Sequence, residues 1–263
     1  MNVWAVANQK GGVGKTTSAI SLGGLLAAQG YRVLLIDIDP HGSLTSYLKF
    51  DPETADKNVY SLFNDENCQI SSIIKSTNIP RIDLVCSTTL LATLDRKMGV
   101  HNGKGLVLKN AVKSVEDDYD YVIFDCPPML GILMVNALAA CDYLVIPVQS
   151  EYLALKGLER MVRTISMINR SRKSQVNYII IPTLYDRRTK VSAAALSLMH
   201  KEYARELWHS VIPVDTKFRE ASLAGYPISM LFPKSRGSIA YDNLLKYIMS
   251  LSQPVFEKRV SCA

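Results

Sequence analysis

The chain has 263 residues, of which 48% are hydrophobic and 21% are charged, and its formal net charge is +6 at pH 7. This length allows one α/β domain with a large core, and we expect a single domain over residues 1–263. A membrane span needs a run of about 18 apolar residues, and the sequence contains none. The first residues also lack a signal-peptide pattern. We therefore expect a cytoplasmic protein without membrane association.

Positive charge is concentrated in the second part of the chain. Residues 1–155 carry 12 Lys and Arg against 16 Asp and Glu, whereas residues 156–263 carry 18 against 8. The net charge of the second part is therefore +10. Such asymmetry favours a polyanionic partner, either nucleic acid or an anionic membrane, although solvated helix faces would give the same count.

Apolar runs alternate with stretches of helical periodicity along the chain. This alternation predicts a three-layer α/β fold, in which a mostly parallel, twisted sheet is flanked by helices on both faces. The predicted strands are Val3–Ala7, Arg32–Asp37, Ile82–Cys86, Tyr121–Asp125, Tyr143–Val148, Asn177–Thr183 and Ser210–Pro213. The predicted helices cover residues 15–29, 104–115, 131–140, 154–172, 191–207 and 237–251. The segments 51–80 and 93–104 are expected to be connections.

A glycine-rich loop separates the first predicted strand from the first predicted helix. Its sequence is Lys10-Gly11-Gly12-Val13-Gly14-Lys15-Thr16-Thr17. Glycines let backbone N–H groups approach phosphate oxygens, and the positive N-terminal end of the helix faces the same anion. In a phosphate-binding loop, Lys15 reaches the β- and γ-phosphates and the Thr16 hydroxyl binds Mg²⁺. The loop predicts a nucleoside triphosphate site, although Gln9 stands where the strict pattern has glycine.

Acidic residues follow two further predicted strands. Asp37 and Asp39 come at the end of the second strand, and Asp125 ends the fourth. Because ligands of open parallel sheets bind beyond the carboxyl ends of the strands, we expect these carboxylates near the phosphates. Asp125 is predicted to hold Mg²⁺ through its coordination water. The alternative for Asp37 and Asp39 is that they cap the next helix.

The loop octet, with its additional lysine, resembles the deviant Walker A loop of the ParA/MinD family of partition and positioning ATPases. The segment Asp37–Ser43 is similar to the family's D-x-D-P-Q-G-N, with His41 and Ser43 as departures. Two later segments, Pro147–Leu158 and Pro233–Tyr241, also resemble family segments. The resemblance therefore covers most of the chain.

This resemblance implies a slow, partner-stimulated ATPase that uses ATP and Mg²⁺. In the family, two subunits enclose two ATP molecules, and the lysine corresponding to Lys10 reaches the phosphates of the partner. The implied catalytic residues are Lys10, Lys15 and Asp39, where Asp39 positions or activates the attacking water. The implied metal site contains Thr16, Asp39 and Asp125, with Asp37 in support.

The resemblance also places residues at the two ends of the nucleotide site. Thr183, Pro213 and Asp215 are expected near the base, and the absence of an N-K-x-D motif favours ATP over GTP. Glu151 is expected at the dimer interface or the nucleotide, although a role as a helix N-terminal charge explains it equally well.

For ParA-like members the resemblance implies that the ATP-bound homodimer binds DNA without sequence specificity. The corresponding basic residues are Arg187, Arg188, Lys190, Lys217 and Arg219. The implied function is to position cargo, either a plasmid or chromosome partition complex or a polar chemotaxis array. A ParB-like protein or a polar adaptor is then the partner, and the location is nucleoid-associated or polar.

Two other functions fit parts of the sequence. A MinD-like ATPase would bind the membrane through a terminal amphipathic helix, but the tail Leu251–Val260 is interrupted by Pro254 and has little apolar surface. A metabolic P-loop ligase would need a site for a small acid substrate. The sequence shows no distinct constellation for such a site.

Overall fold

A seven-stranded sheet forms the centre of the molecule in the computed structural model, which describes residues 1–94, 104–171 and 175–252. The strands are β1 Asn2–Val6, β2 Val33–Asp37, β3 Ile74–Ser76, β4 Ile82–Val85, β5 Tyr121–Asp125, β6 Tyr143–Gln149 and β7 Asn177–Thr183. Their order is β3-β4-β2-β5-β1-β6-β7, and every neighbouring pair is parallel except β3 and β4. The predicted α/β fold with a mostly parallel sheet is confirmed.

Helices cover both faces of this sheet. In the described residues they are α1 Lys15–Ala28, α2 Ser43–Tyr47, α3 Tyr60–Asn64, α4 Val107–Lys113, α5 Ile132–Ala140, α6 Tyr152–Ser171, α7 Lys190–Tyr203, α8 Lys217–Ala224, α9 Ile228–Leu231 and α10 Arg236–Ser252. Short 3₁₀ helices occur at Ile70–Ser72, Thr89–Thr93 and Lys104–Leu106. The six predicted helices are present with shifted ends, and the four short helices α2, α3, α8 and α9 were not predicted.

The core consists of two apolar layers, one on each face of the sheet. Along β2, Leu34 and Ile36 pack in one layer, together with residues of α3 to α7, while Val33 and Leu35 pack in the other with residues of α1 and α10. All four side chains are fully buried. Successive side chains of a strand point to opposite faces, so a continuous apolar run is what a strand covered on both faces requires.

The predicted strand Ser210–Pro213 is wrong. This segment runs beside β7 but forms only an isolated bridge between Tyr185 and Pro213. Both Pro182, in β7, and Pro213 lack a backbone N–H group, so a regular ladder cannot form between the two segments. The segment 51–80, expected to be a connection, contains α3 and the edge strand β3, which were too short to give a clear period.

Several expectations concern residues that lie outside the described ranges. These are most of the connection 93–104, the end of the helix predicted over 154–172, and the tail from residue 253 onward. Among the residues that the structure describes, no helix combines the length and the apolar character that crossing a membrane requires.

Candidate functional site

The site forms at the carboxyl ends of three adjacent strands, β2, β5 and β1. In the sheet register, Val6 pairs with Asp125, and Asp125 pairs with Asp37. The end of β5 therefore lies between the end of β2, which the Asp37–Ser43 segment continues, and the end of β1, which the glycine-rich loop follows. Parallel pairing thus brings together residues that are far apart in sequence, at the edge where ligands of such sheets bind.

The loop between β1 and α1 has a backbone that depends on glycine. Gly12 has a φ of +74° and Gly14 a φ of +92°, in the left-handed region that residues with a Cβ atom rarely adopt. A Cβ atom at Gly11, Gly12 or Gly14 would meet no other atom within 4 Å. The loop backbone is therefore open on this side, and the residues fit a phosphate group at the start of α1.

A hydroxyl and a carboxylate meet beside this loop. The Thr16 hydroxyl donates a hydrogen bond of 2.6 Å to Oδ2 of Asp125, which is buried. The other oxygen of Asp125, Oδ1, is buried without a hydrogen-bond partner among the described residues. Burial, followed by the charge of Asp37, raises the pKa of Asp125 well above its usual value. Such oxygen ligands fit Mg²⁺, which would neutralise this charge when it is bound.

Asp37 is held by its own segment of chain. Its Oδ2 accepts hydrogen bonds from the backbone N–H and the hydroxyl of Thr45, both at 2.8 Å, and its Oδ1 accepts one from the backbone N–H of Asp39 at 3.1 Å. Burial raises the pKa of Asp37. Both oxygens of Asp37 therefore accept hydrogen bonds from the chain between β2 and α2 and order this segment. These contacts agree with the alternative role of Asp37 as a cap of the next helix.

Asp39 faces the cleft beside the loop. This cleft has a volume of about 780 Å³ and is lined by residues of the loop, the Asp39–Ser43 segment and α8. The Asp39 carboxylate contacts His41, and its residue is 8% exposed. Lys15, Thr16 and Asp39 therefore line one cavity, as their predicted roles require.

The two lysines of the loop lie in different surroundings. Lys15 lines the cleft, is 7% exposed, and donates a hydrogen bond of 3.2 Å to the backbone carbonyl of Lys10. Lys10 does not line the cleft. Its ammonium group donates to Oε1 of Gln149 at 3.1 Å and forms an ion pair with Glu151. Gln149 is the last residue of β6, and Glu151 lies two residues beyond it.

Comparison with known proteins identifies the family. A family model described as AAA domain matches residues 1–178. The sporulation initiation inhibitor protein Soj of Bacillus subtilis is 37% identical over 245 residues, which cover 93% of this chain and 96% of that protein. The chromosome partitioning protein ParA of Caulobacter vibrioides is 34% identical, over 95% of this chain and 94% of its own length. This chain belongs to the ParA/Soj family of P-loop ATPases.

Solved structures of similar proteins contain the nucleotide and the metal. One described as cobyrinic acid a,c-diamide synthase from Mycobacterium smegmatis, with bound ADP and magnesium, has a TM-score of 0.82 and 34% identity over 94% of each chain. A plasmid partition protein from Borrelia burgdorferi bound to AMPPNP has a TM-score of 0.80 at 24% identity, covering 95% of this chain and 99% of its own, and shares the fold. The ParA/Soj-family chain is accordingly an ATPase that uses ATP and Mg²⁺.

The three residues predicted near the base differ in their contacts. Thr183 lies against the loop, because its hydroxyl donates to the Val13 carbonyl at 2.8 Å. Pro213 and Asp215 line a second pocket of about 600 Å³. The carboxylate of Asp215 accepts hydrogen bonds from the backbone N–H groups of Lys217 at 3.0 Å and Gly237 at 2.9 Å. Asp215 thus caps the starts of α8 and α10, and its predicted contact with the base stays a prediction.

The five basic residues predicted to bind DNA lie on two segments, the start of α7 with the loop before it and the first turn of α8. Arg187 and Arg188 line the second pocket, Lys190 begins α7, and Arg219 lines the cleft of the loop. Hydrogen bonds from Arg188 lower the pKa of Asp186 to about 2.

The Lys217 side chain contacts an acidic and an aromatic side chain of its own chain. Its ammonium group bonds Glu220 at 2.8 Å and lies 4.6 Å from the centre of the Phe232 ring. The five basic side chains thus do not all line one pocket of the described residues, although Thr216, next to Lys217, lines the pocket of Arg187 and Arg188.

Sequence reasoning missed several residues around the site. Asn8 donates to the Pro147 carbonyl at 2.7 Å, and its buried Oδ1 has no hydrogen-bond partner among the described residues. Gln9 bonds the Thr164 hydroxyl at 2.9 Å and so joins the loop to α6. Arg236 lines the second pocket with Arg187. Only Arg236 carried a sequence signal, since it belongs to the Pro233–Tyr241 segment.

Proposed function

We propose that this ParA/Soj-family ATPase dimerises when it binds ATP, and that the dimer binds DNA without sequence specificity and moves or segregates cargo. The observation that carries this proposal is the position of Lys10. The Lys10 ammonium group does not line the cleft of its own chain but is held by Gln149 and Glu151, which it would leave to reach a second subunit. The full-length likeness to chromosome partitioning proteins supports partition as the process.

Exposed apolar side chains surround the site on the same edge of the sheet. Met129 and Leu130 follow β5, Tyr152 and Leu153 follow β6, and Leu184 follows β7. Their exposed fractions reach 70% at Leu153. A cluster of large apolar side chains at a nucleotide site favours burial against another protein surface, which supports a dimer face that includes the site.

The proposed chemistry is ATP hydrolysis. The oxygen of a water molecule attacks the γ-phosphorus, and the bond between that phosphorus and the bridging oxygen to the β-phosphate breaks. Asp39 would position the water and Lys15 would stabilise charge on the transferred group. Thr16 and Asp125 would hold Mg²⁺, which supplies positive charge to neutralise the phosphates when it is bound. Lys10 of the second subunit adds a cation at the phosphates.

DNA binding is proposed from charge. The second part of the sequence carries +10, and Arg187, Arg188 and Arg236 line one pocket. The other proposed contacts are Lys190, Lys217 and Arg219. The proposal requires the dimer to place the basic residues of its two subunits on a common surface. Release of counterions from DNA makes such binding weaken steeply with salt.

The partner and the cargo follow from the same proposal. A ParB-like protein or a polar adaptor would stimulate hydrolysis, and the cargo would be a partition complex or a chemotaxis array. We propose a single P-loop domain over residues 1–263 for these tasks. Within the described residues, the one sheet that runs from β3 to β7 supports this organisation.

The test combines two lysine variants. With ATP and Mg²⁺, the wild-type protein should double its mass in light scattering and shift a DNA fragment of arbitrary sequence. Lys15→Ala should lose ATP binding, whereas Lys10→Ala should bind ATP as a monomer and fail to shift DNA. Lys246→Ala is the matched control, because Lys246 lies on α10 and pairs with Asp242. A Lys10→Ala protein that dimerises and hydrolyses ATP normally contradicts the proposal.

A second candidate is an amide-forming enzyme. The observation in its favour is the similar structure described as cobyrinic acid a,c-diamide synthase, at 34% identity. Such an enzyme couples ATP cleavage to activation of a carboxylic acid, so its turnover needs an acceptor. ATP hydrolysis that proceeds without any carboxylic acid, and that is unchanged by added cobyrinic acid and glutamine, excludes this candidate.

A further inference from the structure

Among the residues that the structure describes, His41 provides the one side chain that hydrogen-bonds the carboxylate of Asp39. Oδ1 of Asp39 lies 2.9 Å from Nδ1 of His41 and accepts a hydrogen bond of 3.0 Å from the His41 backbone N–H. The side chain of Asp39 is 11% exposed, whereas that of His41 is 79% exposed. Both residues line the cleft that contains Lys15 and Thr16. An exposed imidazole therefore reaches the carboxylate from within the cleft.

The backbone around this contact is held independently of the imidazole. The Asp39 N–H donates to Asp37, and its carbonyl accepts hydrogen bonds from the Gly42 N–H at 2.8 Å and the Ser87 hydroxyl at 2.5 Å. Gly42 has a φ of +61°, and a Cβ atom there would lie 2.6 Å from Pro52. The backbone is thus fixed, while His41 alone among the described residues fixes the orientation of the Asp39 carboxylate.

We propose that His41 is a positioning residue for ATP hydrolysis. Its Nδ1–H holds Oδ1 of Asp39, which leaves Oδ2 to orient the attacking water. This inference rests on the proposed role of Asp39. It also gives a physical role to one of the two departures from the family segment, since the glutamine that usually stands there has an amide one bond farther from the backbone.

The proposal fixes the tautomer of the imidazole. Carboxylate oxygens accept hydrogen bonds, so a neutral His41 must carry its proton on Nδ1, where a free imidazole has no such constraint. His200 supplies an internal reference. Its Nδ1 lies 3.0 Å from the Leu196 carbonyl oxygen, which also can only accept. Both rings should therefore show the Nδ1–H form in ring ¹⁵N NMR spectra of the ATP-free protein.

The first arm of the test is spectroscopic and needs no turnover. In Asp39→Ala, His41 should change to the Nε2–H form while His200 keeps the Nδ1–H form. The His41 resonances are assigned by their absence from His41→Asn. A His41 ring in the Nε2–H form in the wild-type protein overturns the proposal.

The second arm measures hydrolysis. His41→Ala should lower kcat by about fivefold and leave the KM for ATP unchanged. This loss is smaller than the roughly tenfold or more expected for a hydrogen bond to a charged group, because the ring is exposed. His41→Asn should restore the rate, because its side-chain amide nitrogen stands where Nδ1 stands in histidine. Equal rates for His41→Ala and the wild type, with Asp39→Ala inactive, contradict only the inference about His41. If Asp39→Ala hydrolyses ATP at the normal rate, the proposed role of Asp39 itself fails.

Discussion

The two ends of the nucleotide site differ in how their residues are held. At the phosphate end, the loop glycines, Thr16 and Asp125 come directly from the ends of buried, adjacent strands, and Thr16 bonds Asp125 at 2.6 Å. At the other end, Pro213, Asp215 and the basic residues lie on loops and helix starts that come after β7 in the chain. Pro213 and Asp215 line a second pocket with Arg187 and Arg188, and Arg219 lines the cleft. Phosphate binding thus depends on sheet geometry, whereas base and DNA contacts depend on how connecting segments pack.

This difference explains why the phosphate-binding residues already lie together in a single chain. Phosphate groups are recognised by backbone N–H groups and by a few charges, which a strand–loop–helix unit supplies locally. A surface for DNA needs several side chains with a common orientation. Thr183 is the point where the two ends meet, since it extends from β7 to the loop carbonyl of Val13.

The largest expected effect comes from a pair of glycine variants in the loop at the phosphate end. Gly14→Ala should weaken ATP binding by at least tenfold and lower the free energy of unfolding by roughly 1–2 kcal/mol, because φ at this position is left-handed. Gly11→Ala is the matched control, since Gly11 has no positive φ and equally open surroundings. Calorimetric titration with ATP and chemical denaturation measure the two effects. Equal losses in both variants would show that space, and not backbone conformation, limits the loop.

A substitution at Asp215 separates helix capping from base recognition. Asp215→Ala should lower the free energy of unfolding by about 1–2 kcal/mol, because the backbone N–H groups of Lys217 and Gly237 lose their acceptor. ATP affinity should change little, and Asp215→Asn should recover most of the stability through its side-chain oxygen. Thermal denaturation and ATP titration measure these quantities. A large loss of ATP affinity in Asp215→Asn, with normal stability, would instead support the predicted contact with the base.

The smallest expected effect concerns the ion pair that retains Lys10. Glu151→Gln should change the free energy of unfolding by less than about 1 kcal/mol, because the side chains of Lys10 and Glu151 are about a third exposed. If Lys10 must leave this pair to reach a second subunit, the variant should dimerise at a severalfold lower protein concentration. Sedimentation with ATP measures this shift. Glu159→Gln, which breaks a pair with Arg163 on α6, is the control.

The opposite result at Glu151 would be equally informative. Weaker dimerisation of Glu151→Gln would mean that Glu151 also supports Lys10 in the dimer, and would contradict a purely retaining role.

Local patterns were enough to predict much of the fold. Six of the seven predicted strands correspond to observed strands, because buried parallel strands leave long apolar runs in a sequence. The exceptions are short or interrupted elements. β3 has three residues, and the segment Ser210–Pro213 contains a proline that cannot complete a ladder. Neither feature produces a period that a sequence can reveal.

The family resemblance, the parallel sheet and the order of the phosphate-binding residues could be read from the sequence, because they depend on short motifs and on strand ends. The hydrogen bond of Asp37 to Thr45, the pairing of Lys10 with Glu151 and the capping of two helices by Asp215 became apparent only in the folded chain. In each of these contacts, the position of the partner atom depends on how a helix or loop packs in the folded chain. The spacing of residues along the chain does not specify such contacts, since they depend on where helices and loops settle on the sheet.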